Sequence, residues 1–211
     1  MPSTLLPALL FALVTSVTPG PNNTMLLSSG IHFGFRRTLP HMAGISCGFA
    51  IMVLAVGVGI GQLFKNVPVL YTVMDLLSVS YLLYLAWKIG TSGAPTTPDS
   101  TRRPMTWLQA ALFQWVNPKA WMMALTGATT FHLHADPRLS AMLLALAFGV
   151  VNFPSVGMWA AFGTALRQAL TRPRILAIFN WSMAALLIAS MLPTLVSLAH
   201  LARHTLSTNP G

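Results

Sequence analysis

Lys119 stands inside "FQWVNPKAW" (113–121), well within an apolar run. A cation at that depth is costly. It marks a function and a partner unless the lysine snorkels from a short helix. Measured from about residue 106 it lies some 13 residues in, roughly 20 Å at 1.5 Å per residue. Its chemistry would be to hold a carboxylate. Asp75 is the one acid inside an apolar segment, about 8 residues in, roughly 12 Å from the opposite face. It admits three readings: an ion-pair partner for Lys119, a carrier of protons, or a residue near the membrane surface.

The second concentration of chemistry is "SVTPGPNNTMLL" (16–27). Pro19 and Pro21, with Gly20 between them, remove two backbone donors and free carbonyls one turn earlier. In lipid those carbonyls must find partners. Thr18, Asn22, Asn23 and Thr24 can supply some, and the rest are expected to face a cavity. A helix restarting after the break would turn its first N–H groups inward, where they attract a carboxylate. The plainer alternative is a simple helix end, with 22–34 as a re-entrant or loop region. Asn117 and Pro118 repeat the Asn–Pro combination beside Lys119. Asn152, with Pro154 in "GVVNFPSVG", interrupts a further apolar run and serves either a ligand or an interhelical hydrogen bond. Asn180 reads as structural.

These residues need elements to hold them, and composition says which. Of 211 residues, 55% are hydrophobic and 7% charged, against roughly 25% charged in a soluble domain. The chain is therefore read as an all-α membrane protein, a single domain over 1–211. Six segments suit transmembrane helices of about 20 residues: 3–27, 40–63, 67–88, 106–130, 139–164 and 175–199. Barrel strands would be shorter and alternating. The start, MPSTLLPALL, lacks a basic region and a cleavage site, so it reads as the first membrane helix rather than a removed signal.

A Gly/Pro/Ser/Thr-rich linker over 90–104 divides the chain into halves of three helices. The first and fourth helices each carry a proline break. Three is an odd number, so the halves would insert in opposite orientations, a 3+3 inverted repeat whose paired breaks mark a transporter site. Arg36, Arg37, Lys88, Arg102, Arg103, Arg167, Arg172 and Arg174 fall on one side, against Lys65, Arg138 and Arg203. The positive-inside rule then puts both termini outside. The same distribution explains the net charge of +9 without nucleic acid. Gly30/Gly34 and Gly44/Gly48 are four apart, spacing that suits close helix packing in lipid.

Several classes drop out. Cys47 is the single cysteine, so there is neither a disulfide nor a paired-thiol redox motif. His132, His134 and Asp136 make a weak metal pattern, and no metal or cofactor is expected. No phosphate-binding, serine-hydrolase or zinc-protease motif occurs.

"TPGPNNTMLLSSGIHFGFRRTLPHMAGISCGF", "SYLLYLAWKI" (80–89), "FQWVNPKAW" and "RILAIFN" (174–180) together resemble the LysE-type amino-acid exporters, in the branch associated with homoserine and threonine efflux. The resemblance runs over nearly the whole chain. It implies a secondary exporter in the bacterial inner membrane, not an enzyme, driven by proton antiport. The implied cargo is small: neutral amino acids such as threonine or homoserine, or cysteine-type compounds. It carries over Thr18, Pro19, Gly20, Pro21, Asn22, Asn117, Pro118 and Lys119 as the transport path. Asp75 departs from the family pattern, which is small or apolar there. The partners are then an amino-acid substrate, protons and the lipid bilayer, with a homodimer possible. The competing readings are a passive small-solute channel and, further off, a membrane enzyme or redox carrier.

Overall fold

The computed structural model describes residues 2–60, 66–67, 69–91, 103–167, 173–189, 191–192, 195–196 and 198. All regular structure among them is helical. Helix α1 spans Pro2–Val17 and α2 spans Pro21–Phe33. Helix α3 covers Phe35–Ala55 and continues as a wider turn over Val56–Ile60. Helix α4 covers Val69–Gly90. Helix α5 is short, Trp107–Phe113, followed by a tight 3₁₀ turn, Gln114–Val116, and then by α6, Pro118–Thr130. Helices α7 (Pro137–Leu166) and α8 (Pro173–Ala189) complete the set.

Phe35–Ile60 (26 residues) and Pro137–Leu166 (30 residues) are each long and apolar enough to cross a bilayer; α1 and α2, bent by 55° at their break, make a third candidate if they form one span. Most of the proposed linker, residues 92–102, lies outside the described residues, as do 61–63 and much of 190–199.

Polarity is turned inside out, as a bilayer solvent requires. Leu6, Leu10, Val14, Leu146, Val150 and Ile178 are exposed, whereas Ser16, Asn23, Gln114, Asn117, Asn152 and Asn180 are buried. The exposed rings of Trp87, Tyr84 and Trp107 lie near helix ends, where amphipathic rings meet headgroups, whereas the exposed Trp181 lies midway along α8.

Helix α7 is the central member and packs on α1, α2 and α3; α5 packs on α3, and α4 on α8. Glycine sets the closest crossings. Gly30 of α2 abuts the Ala160 carbonyl of α7, and Gly163 of α7 abuts the Leu27 carbonyl of α2. Gly44 and Gly48 meet Trp107 and Ala111 of α5 in the same way. Gly34 does something else: with φ +78° it makes the turn from α2 into α3. A Cβ on Gly30 would strike backbone, which cannot swing aside. Gly30→Ala is therefore expected to destabilise the fold by about 1–3 kcal/mol, read as a lower unfolding midpoint of the solubilised protein.

Two prolines behave differently from the sequence expectation. Pro154 does not interrupt its helix; α7 runs straight through it. The Ser155 hydroxyl donates to the Val151 carbonyl at 2.7 Å, on the turn the proline weakens. Helix α3 likewise begins at Phe35 rather than residue 40 and carries Pro40 inside it.

Candidate functional site

At the first break the backbone carbonyls can be accounted for in order. Val14 O takes the Thr18 N–H at 3.1 Å. Thr15 O takes the Thr18 hydroxyl at 2.9 Å. Ser16 O takes the Asn23 amide at 2.8 Å. Val17 O takes the Trp159 indole N–H from α7 at 3.1 Å. Thr18 O accepts from both Asn23 (2.8 Å) and the Lys119 ammonium (2.7 Å). Pro19 O accepts from Lys119 at 3.2 Å. Gly20 O takes the Thr24 N–H at 2.9 Å. The carbonyls that two prolines leave behind are thus closed off by the protein's own donors.

The second break is built by a different device. After the 3₁₀ turn, Asn117 is extended (φ −94°, ψ 108°) and its side chain caps α6 by accepting from the Lys119 N–H, with Pro118 at the first helical position. A proline there loses no helical bond. The cap places Lys119 on the first turn of α6, facing the first break. Its ammonium also bonds the Thr18 hydroxyl at 2.8 Å. One cation therefore joins two breaks about a hundred residues apart. Gly20 is what lets it lie there: a Cβ on Gly20 would sit 2.8 Å from Lys119 Cδ.

The two segments are also joined by an amide pair. Asn22 donates to the Gln114 side-chain oxygen at 2.8 Å, and Gln114 donates back at 3.1 Å. Asn152 donates to the Ser16 hydroxyl at 3.1 Å and accepts from Ser46 at 3.0 Å.

These groups surround a small cavity. Gly20, Pro21, Asn22, Asn23, Asn117, Lys119 and Asn152 line it, together with Ser16 and Phe49. At about 20 Å³ it has room for one water and is far too small for any amino acid. Thr18 and Pro19 stand at its rim through their bonds to Lys119, and Pro118 acts through the backbone. Asn23 Oδ1 is buried in the wall without a hydrogen-bond partner.

Asp75 is not drawn in. It is partly buried on α4, and the partners of Lys119 are the oxygens of Thr18 and Pro19 instead. Ser16, Ser46, Gln114 and Trp159 hydrogen-bond the candidate site residues and the first break, and residue-type reasoning passes over them. Gln114 and Ser16 both sit inside the quoted motifs, and a glutamine one turn before a break was a usable signal. Trp159 gave none.

Asp136 has a local role. Its carboxylate accepts from the Arg138 and Leu139 N–H groups (2.8 and 3.0 Å) and caps α7. The Leu139 and then the Arg138 backbone bonds hold its carboxyl below the usual value of 3.8. A depressed carboxylate stabilises fully above its unfolded value and loses that contribution as pH falls through the folded one. Asp136→Ala is expected to leave transport unchanged, to lower the neutral-pH melting point slightly, and to lose less stability than wild type on acidification below about pH 4.

The model of the LysE type translocator family matches residues 13–192. The chain belongs to that family. It is a transporter, not an enzyme. Its similar relatives include the "Cysteine/O-acetylserine efflux protein" of Salmonella typhimurium (strain LT2), 33% identical over 168 residues, which cover 75% of this chain and 82% of the relative. The protein of the same name from Escherichia coli (strain K12) is 35% identical over 156 residues, 70% of this chain and 78% of the relative. No solved structure matches this LysE-type chain.

Proposed function

We propose that this translocator exports small neutral amino acids across the bacterial inner membrane, cysteine and O-acetylserine first among them, by proton antiport. The observation that carries the reading is the Lys119 ammonium held by three oxygens of the opposite break. A zwitterion presents both halves of that contact. Its carboxylate suits Lys119 and the first N–H groups of α2. Its ammonium suits the Thr18 and Pro19 carbonyls and the unpartnered Asn23 oxygen. The relatives' names supply the choice of cargo.

The small cavity fits one station of an alternating-access cycle, which must widen to admit a substrate. In this reading six spans form the 3+3 inverted repeat, with α1/α2 and α5/α6 as the corresponding broken elements and both termini outside. Two features support it: both restarted helices have proline at their first position, and both breaks contribute to one cavity. Asp75 remains the candidate for proton coupling.

Inverted vesicles containing the purified protein test this directly. Cysteine, O-acetylserine, threonine and homoserine are offered with and without an imposed pH gradient. Accumulation of at least one, dependent on the gradient, is expected. Accumulation of none would sink the reading, and equilibration without accumulation would show a channel.

A further inference from the structure

Among the described residues, the buried side-chain polar atoms without a hydrogen bond are Asn23 Oδ1 and both ring nitrogens of His41. The first belongs to the small cavity. His41, 2% exposed, lines a second and much larger space. This crevice, about 1070 Å³, lies between α2, α3, α4 and α5, comparable with the upper range of small-molecule sites. The two spaces are neighbours. Asn22 and Asn117 line the small cavity, while Met25, Phe113 and Val116, one turn away or less, line the crevice. The Asn22–Gln114 amide pair lies between them.

Two cations, Lys88 and Arg103, line the crevice beside His32 and His41, and among the described lining residues there is no Asp or Glu. Lys88 leans on the Tyr84 ring at 5.9 Å. Of the chain's three acids, Asp75 lies on α4 and is not among the lining residues. Asp136 caps α7, and Asp99 lies outside the described residues. Like charges along low-dielectric walls focus a field that gathers anions. A neutral imidazole carries one N–H donor, and a buried donor calls for an acceptor.

We propose that the crevice walled by His41, His32, Lys88 and Arg103 is a second binding site, selective for small carboxylates. Here the cargo's carboxylate docks before it passes the amide pair into the small cavity. The charge bias of the loops puts Lys88 and Arg103 on the cytoplasmic side, where an exporter collects its load. The entry role rests on the export reading above. The carboxylate affinity does not.

The test uses the full-length protein, ring-labelled at histidine, in phosphatidylcholine nanodiscs. Acetate is titrated while the histidine signals are followed by NMR, with acetamide as the uncharged control. Acetate is expected to shift the His41 signals saturably and acetamide to leave them in place. Arg103→Gln, an exposed position that spares the fold, is expected to weaken acetate about tenfold, one charge-assisted contact. His41→Asn, followed at the ring signals of His32 on the same crevice, is expected to weaken it as well. Lys119→Met should change nothing, because it belongs to the other cavity. An equal response to acetamide, or loss of the acetate response in Lys119→Met alone, overturns the proposal. So does displacement of acetate by added phosphatidylglycerol, which would make the crevice a lipid-headgroup site. A tenfold gain in acetate affinity in Asp99→Asn would make it an internal seat for that residue and overturn the proposal too. In vesicles, Arg103→Gln should raise KM about tenfold with kcat unchanged; a fall in kcat with KM constant overturns the entry role while leaving the anion site standing.

Discussion

Lys119→Met is expected to reduce transport by roughly 10- to 100-fold while the protein still inserts, folds and purifies in normal yield. A hydrogen bond to a charged group contributes about 1.5–3 kcal/mol, and each 1.4 kcal/mol is a factor of ten. In the proposed reading, losing Lys119 removes at least one such bond to the substrate carboxylate. Methionine keeps most of the volume, so packing beside Gly20 and Ala120 is preserved. Three oxygens lose their ammonium, yet Thr18 O keeps the Asn23 amide. The Thr18 hydroxyl still donates to Thr15 O, and Thr18 and Pro19 lie on an exposed rim. The cost to stability is therefore small beside the cost to function. Initial rates in vesicles, normalised to protein recovered from size-exclusion chromatography, check it. Normal rates, or loss of the folded peak, would show that Lys119 is structural.

Asn23→Ala is expected to lower stability as well as transport, because the oxygen it removes is also the one proposed for the substrate ammonium. The Asn23 amide donates to Ser16 O and Thr18 O. Thr18 O has a second donor in Lys119, but among the described residues Asn23 is the donor to Ser16 O, and an orphaned buried acceptor costs about 1–3 kcal/mol. The unfolding midpoint should fall accordingly, and Asn23→Asp, which keeps the shape but loses the donor, should fall with it. By contrast Pro19→Ala and Pro21→Ala together should leave the bend largely in place. The carbonyl partners drawn from Asn23, Trp159 and Lys119 hold the break, and Pro21 sits where a helix start already lacks a bonded N–H. A transport rate within about twofold of wild type is expected of this pair. A straightened and inactive first helix would contradict it.

The breaks and Lys119 were legible because each offends a local rule. Proline pairs, a glycine between them and a charge in an apolar run announce themselves whatever the fold. Partners were not legible in the same way. Depth along the helix axis made an Asp75–Lys119 pair conceivable, but depth says nothing of the direction in which a side chain points. The structure turns Lys119 toward the first break. Trp159 had every local reason to be read as a packing residue, and only the α1–α7 contact gives its indole a carbonyl. Pro154 was read as an interruption because proline removes a bond. In α7 the helix runs on, with a neighbouring hydroxyl and packing on α1, α2 and α3 around it. Gly30 and Gly34 looked like one packing pair, yet only Gly30 packs.

The lysine clasp makes the first break a miniature ion exchanger. Its oxygens already hold an ammonium, so an incoming ammonium must displace one of equal charge. The displaced lysine then needs a counter-ion, and a zwitterion brings that counter-ion on the same molecule. A simple amine would evict Lys119 and leave it stranded without an anion. A simple acid would draw Lys119 away and leave the oxygens empty. In the export reading proposed above, only a molecule carrying both charges completes the swap, and selectivity for amino acids over amines and acids would then follow from the position of one tethered cation.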